Sequence, residues 1–167
     1  MKLTTTAQVS VDAVMQGPGG PDENRSGGFE RGGWAHFDNE AGTLNTKPKY
    51  VASTTLADPR WANTTLSADL TAAVGELRAK PGGELQVHGS GALFQWLLDN
   101  DLIDEITLFT FPVVVGQGTR LFPDAGRDTA LDLVDSQATP KGVTIQAYRP
   151  TGRPQYATAA TNLKHAT

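Results

Sequence analysis

Apolar positions along the chain change period several times, and each change marks an element. Leu70, Val74 and Leu77 recur at helical spacing through LTAAVGELRAK, with Asp69 placed to cap the start and Pro81-Gly82-Gly83 to stop the end. Before that helix, Leu3 to Val11 is rich in Thr and Val and reads as a strand. Lys49 to Thr54 (KYVAST) reads as a second strand and Thr64 to Leu66 as a short third. After it, Glu84 to His88 (ELQVH) reads as a strand, Gly89-Ser90-Gly91 as a turn, and ALFQWLLDN as a helix with Leu93, Trp96 and Leu97 on its apolar stripe. Ile106 to Val115 (ITLFTFPVVV) is almost wholly β-branched, aromatic or aliphatic, as in a strand buried on both faces. Ala130 to Val134 and Val143 to Arg149, separated by a turn at Pro140 to Gly142, predict a closing hairpin.

Two segments read as irregular. Met15 to Gly28 contains QGPGGPDENRSGG and predicts a long mobile loop directly after the first strand, since Pro lacks a donor and Gly carries the largest entropy cost. Between Phe29 and Asn45, Trp34 and Phe37 suggest a short helix, against Gly32, Gly33 and Gly42. The polar tail from Thr151 is predicted to be disordered, so residues 1–150 form one domain and 151–167 a tail. Helices interleaved with strands and a terminal hairpin predict an α/β fold with a mixed sheet covered by helices.

Composition narrows the function. With 14 Lys and Arg against 18 Asp and Glu, and the basic residues scattered singly, a nucleic-acid partner is not expected. No apolar run is long enough for a membrane helix, and the first residues do not read as a secretory signal; the expected location is the cytoplasm. Cysteine is absent, which removes thiol nucleophiles and thiolate metal sites. His36, His88 and His165 lack partners at metal-ligand spacing, so no metal is expected, and the HGSG string is not a nucleophile elbow.

The chemistry-bearing signal is VHGSGALFQWLL. A strand that ends in a small-residue turn and opens a helix offers unpaired N–H groups and a positive helix end to an anion such as phosphate. A tight turn between strand and helix accounts for the same residues. Ser53, Thr54 and Thr55 at a strand end suit an adenosine phosphate, or cap a turn near Asp58. Asp12, at the exit of the first strand beside the glycine-rich loop, suits a heterocycle N–H, a ribose hydroxyl or a water used in proton transfer, or is a turn former. Trp34 is placed to pack in the core or to close over a ligand.

Taken together and in this order, TTAQVSVDAVMQGPGG, KYVASTTL, ELQVHGSGALFQWLL and DEITLFTFPVVVGQGTRLF resemble the bacterial dihydrofolate reductase-like family, related to the reductase domain of riboflavin biosynthesis. The resemblance spans most of Lys2 to Arg149, and PVVVGQGTRLF is its most specific string. It implies a dihydrofolate reductase-like α/β fold: one mixed, mostly parallel sheet flanked by helices, with a C-terminal antiparallel hairpin. It also implies NADPH across the strand ends and hydride transfer to a pteridine-like or pyrimidine-like heterocycle. By matching motif, His88, Gly89, Ser90, Gly91 and Ala92 would hold the pyrophosphate and Ser53, Thr54 and Thr55 the adenosine side. Gly116 would approach from the last long strand. Val11, Asp12, Met15 and Trp34 would face the substrate, with Asp12 as the catalytic candidate.

One departure stands out. The family carries a helix, a further central strand and a second helix with a G-R-x-T-type turn that grips the 2′-phosphate of NADPH. Here Thr43 runs almost directly into Leu44-Asn45-Thr46-Lys47-Pro48. The loss of that segment implies weaker discrimination of NADPH from NADH, and edges that re-pair, with a homodimer exchanging elements as one route. It also motivates a second expectation: a catalytically silent dinucleotide-binding or oligomer-forming domain that has lost its phosphate clamp.

Overall fold

A computed structural model describes residues 1–35 and 46–157. Its strands are β1 (Lys2–Ser10), β2 (Lys49–Ala52), β3 (Thr64–Ser67), β4 (Glu84–His88), β5 (Glu105–Phe111), β6 (Leu131–Ala138) and β7 (Thr144–Pro150). Its α-helices are α1 (Leu70–Ala79) and α2 (Gly91–Asp99), and a single 3₁₀ turn covers Ser26–Gly28.

The larger sheet has the order β4-β1-β5-β7-β6. β1 is central and parallel to both β4 and β5, and β7 and β6 add the expected antiparallel hairpin. The odd positions of β1, Leu3, Ala7 and Val9, share one core with Ile106 and Leu108 of β5, Val74 of α1, and Phe94 and Leu97 of α2. The period-two pattern of the strands and the helical spacing of both helices therefore converge on one layer. On the opposite face Phe111, Ala35 and Val143 form a second cluster with Trp34 and Phe109.

Local chemistry sets the element ends. Asp69 caps α1, its carboxylate accepting from Ala72 N at 3.0 Å, and Ser90 caps α2, accepting from Leu93 N at 3.3 Å. β5 stops at Phe111 rather than running to Val115, because Pro112 has no donor for the ladder and Val113 N–H turns back to the Phe111 carbonyl at 2.7 Å. β6 continues past Val134 to Ala138 through a register shift between Leu133 and Asp135, which a polar edge strand accommodates.

Three expectations change. The sheet is not continuous: among the described residues, β2 and β3 pair in parallel only with each other and join no strand of the five-stranded sheet. A strand joins a sheet only by passing its pairing on, and among the described residues none links β2 to β4. The loop after β1 is not free, as the hydrogen bonds of Gln16 below show. The tail is anchored over its first residues, with Thr151 N–H donating to the Ala130 carbonyl at 2.9 Å, Arg153 paired with Asp128, and Tyr156 OH donating to Asp128 at 3.0 Å. His36, Phe37, His165 and the expected helix at Phe37 lie outside the described residues.

Candidate functional site

Because β1, β4 and β5 are parallel neighbours, their carboxyl ends, Ser10, His88 and Phe111, open on the same edge of the sheet. Crevices outside such ends are where open α/β sheets place ligands. Two groups of residues meet there.

The first is the turn after β4. His88, Gly89 and Ser90 are exposed. Gly89 has φ +70°, a left-handed conformation open to glycine at no steric cost, and the space where its Cβ would stand is clear of other atoms. Ser90 Oγ is used as the α2 cap, and Ala92 lies exposed in the first turn of that nine-residue helix. Met15 closes this group from the β1 side: a Cβ on Gly91 would meet its sulfur at 2.6 Å, so the thioether would have to swing aside for any larger residue there. Below them lies a cleft of about 10 Å³ lined by Thr5, Thr6, Met15, Gly89 and Ser90, among others, room for about one water. Thr5 is 2 % exposed, lines that cleft, and its hydroxyl has no hydrogen-bond partner among the described residues.

The second group is built on Asp12. Ser10 Oγ donates to its Oδ1 at 2.7 Å and Val115 N–H to the same oxygen at 3.0 Å, while Gly116 N–H donates to Oδ2 at 2.7 Å. The Ser10 hydroxyl first, and then the Val115 and Gly116 amides, hold the carboxyl down from its ordinary 3.8 to about 2. Arg120 Nε donates to the Asp12 carbonyl at 3.1 Å, and the Arg31 guanidinium donates to the Val115 carbonyl. Gly116, at φ +72°, would bring a Cβ to 3.1 Å from Arg31. The 113–118 loop is thus fastened to the end of β1 by the Asp12 carboxylate, together with the Val11 N–H on the Val113 carbonyl.

Trp34 is committed to packing rather than standing free over the edge. Its Nε1 donates to the Gln16 carbonyl at 2.9 Å and its ring meets Phe111 edge-on at 5.7 Å. Val11 is 62 % exposed at the strand exit, with its N–H on the Val113 carbonyl. Ser53 serves a turn on the separate β2–β3 sheet, its Oγ accepting from Thr55 N and Leu56 N, and Thr54 and Thr55 are exposed. The structure therefore gathers Val11, Asp12, Met15, Trp34, Gly116 and the His88–Ala92 turn, and leaves Ser53–Thr55 on another sheet.

Sequence reasoning missed Gln16. It is 5 % exposed; its amide nitrogen donates to the carbonyls of Asn24 and Ser26 and its oxygen accepts from Thr119 N at 2.9 Å. The signal available was a long polar side chain at the head of a glycine-rich loop, where the backbone has few partners of its own. Among the described residues no group of His, Asp or Glu is placed to hold a metal, and no helix is long and apolar enough to cross a membrane.

The sequence profile of the RibD C-terminal domain matches residues 28–145. The chain belongs to this family. A curated relative, the uncharacterized protein YyaP of Bacillus subtilis (strain 168), is 28 % identical over 105 residues, 63 % of this chain and 56 % of that protein; the match thus spans little more than half the relative's length. A solved riboflavin biosynthesis protein from Shewanella sp. PV-4 superposes with a TM-score of 0.68 at 19 % identity, covering 90 % of this chain and 99 % of its own. A pyrimidine reductase-like protein from Corynebacterium diphtheriae gives 0.56 at 14 %, covering 90 % and 92 %. At these identities the two structures support the fold: the RibD-like, dihydrofolate reductase-like α/β architecture.

Proposed function

We propose that the protein is a nicotinamide-dinucleotide-dependent reductase acting on a flat, pyrimidine-like heterocycle. One observation carries this reading: the exposed Gly89-Ser90-Gly91 turn and the Asp12-fastened 113–118 loop stand at the same edge of the sheet, with Met15 between them. RibD-family membership, and the pyrimidine reductase-like description of the Corynebacterium structure, support the substrate class.

The residues fit an anion at the turn. Gly89 keeps the surface clear, Ala92 in the first turn of α2 is exposed, and the positive end of the helix dipole favours an anion there, while the Leu93 N–H is already taken by the Ser90 cap. The cleft beneath holds only about one water, so the dinucleotide lies over the turn rather than in a pocket; Ser53–Thr55, on the separate β2–β3 sheet, have no part in this reading. When bound, the dinucleotide supplies the hydride. The protein's work is orientation and the exclusion of water by Met15, Val11 and the Gly116 loop. Asp12 acts as a positioning residue: ionised at every pH near neutral, it holds no proton to donate, and it fixes where the Gly116 amide and the loop stand. With no G-R-x-T turn between Trp34 and Lys49, NADPH and NADH bind with similar affinity.

The divided sheet favours a second reading, a domain of the same fold that binds dinucleotide and no longer turns over. Incubation of the protein with NADPH and a panel of aminopyrimidine and dihydropterin acceptors separates the two. Steady loss of reduced-nicotinamide absorbance supports the reductase; binding without turnover supports the silent domain.

A further inference from the structure

The chain from Met15 to Ala35 leaves β1 at the edge that gathers the site, through a glycine-rich stretch whose ordering costs more backbone entropy than that of most sequences. It is nonetheless packed closely. Phe29, 2 % exposed, lies on Val14 and Val115, and a Cβ on Gly17 would stand 3.0 Å from its ring and one on Gly118 2.7 Å. Gly33 N–H donates to the Gly17 carbonyl at 2.8 Å and Ala35 N–H to the Pro18 carbonyl at 2.9 Å, so the two arms of the loop lie together. Gly32 is pressed against them: a Cβ there would meet the Gly20 carbonyl oxygen at 2.6 Å.

At the base of the loop, Leu121 N–H donates to the Ala13 carbonyl at 3.0 Å and Met15 N–H to the Thr119 carbonyl at 2.9 Å, a short antiparallel ladder. Gln16 continues that ladder with its side chain. Its Oε1 stands in for a backbone carbonyl, accepting from Thr119 N–H at 2.9 Å and from the Thr119 hydroxyl at 3.2 Å. Its Nε2 donates to the carbonyls of Asn24 at 3.2 Å and Ser26 at 3.0 Å, and its own carbonyl accepts from the Trp34 indole at 2.9 Å. The partners fix which way the amide points, because a backbone N–H on one side and two carbonyls on the other allow one orientation. One buried residue thus joins segments 15–16, 24–34 and 119, directly beside Met15, whose sulfur lies against Gly91.

We propose that Gln16 is a positioning residue: it holds residues 15–28 as a wall of the site that is already assembled in the free protein, so that Met15 stands in place before a ligand arrives. The ligand named, a nicotinamide dinucleotide, rests on the reading above; the clamp itself does not. A wall assembled in advance spares the ligand the ordering entropy that a loop folding over it would cost.

Hydrogen exchange read peptide by peptide, together with calorimetric titration with NADH, tests this on wild type and Gln16→Met. That variant keeps the length and apolar stem of the side chain and removes both sets of bonds. Arg127→Ala, which removes the ion pair to Asp101 beyond the end of α2, is the control for general loss of stability, and circular dichroism checks that each variant is folded. In free wild type, peptides over 15–35 exchange at least about tenfold more slowly than an unstructured chain. Gln16→Met loses that protection while β1, β4 and β5 keep theirs, and its NADH dissociation constant rises several-fold; Arg127→Ala changes neither. A loop unprotected in free wild type and protected only with NADH overturns the proposal. So does a Gln16→Met protein with wild-type protection, or one that loses protection at unchanged affinity. Wild type that fails to bind NADH refutes the dinucleotide reading instead, and the exchange comparison then decides the clamp by itself.

Discussion

Asp12 shows how one residue type supports two readings until its neighbours are known. A carboxylate at a strand exit beside a glycine-rich loop suits a proton carrier, yet here Ser10, Val115 and Gly116 consume its oxygens. Its folded pKa of about 2 lies below its ordinary 3.8, so the ionised form favours the fold. That contribution is complete above about pH 4 and is lost as pH falls through about 2. Thermal unfolding of wild type and Asp12→Asn should therefore differ by a constant margin from pH 5 to 8, in favour of wild type, with the margin shrinking below about pH 4 and closing as pH falls through about 2. Convergence in the neutral range would contradict the assignment. Thr5 is the opposite case, a buried hydroxyl with no partner among the described residues. Thr5→Val keeps its shape and removes an uncompensated polar atom, so denaturant unfolding should show unchanged or higher stability, by about 1 kcal/mol. A loss of that size would show that the hydroxyl has a partner after all.

At the scale of elements, the legible parts were those in which one local rule decided the matter. Glu84–His88 was bounded by the glycine pair before it and the Gly-Ser-Gly turn after it. α1 followed from the Asp69 cap, the spacing of Leu70, Val74 and Leu77, and Pro81. The misread ends were those set by contacts distant in sequence. Val113–Val115 looked like strand by composition but are drawn off the ladder by Pro112 and by the grip of Asp12 on Val115. Residues 15–28 looked mobile but are tied down by Gln16, whose partners lie both within the loop and at Thr119. The turn after β4 yields a direct test. Gly89→Ala introduces a side chain at φ +70° with open space around it, so the cost is backbone strain of about 1–2 kcal/mol without a clash. Dinucleotide affinity should fall with it, because the methyl stands where the pyrophosphate approaches; unchanged affinity would move the phosphate site away from this turn.

For the whole molecule, the sheet edge that gathers the site was legible and the division of the sheet only half so. The lack of a G-R-x-T turn between Trp34 and Lys49 pointed to a departure from the family pattern, but how the strands pair depended on contacts that no single residue encodes. Among the described residues the strands form a five-stranded sheet that keeps the Gly-Ser-Gly turn and a two-stranded one that keeps Ser53–Thr55. The most direct test of the account is a calorimetric titration of the purified protein with NADPH and, separately, NADH. The account predicts that both bind, with dissociation constants within about tenfold of each other, equivalent to less than about 1.4 kcal/mol of discrimination. Failure of either dinucleotide to bind at millimolar concentration would contradict it.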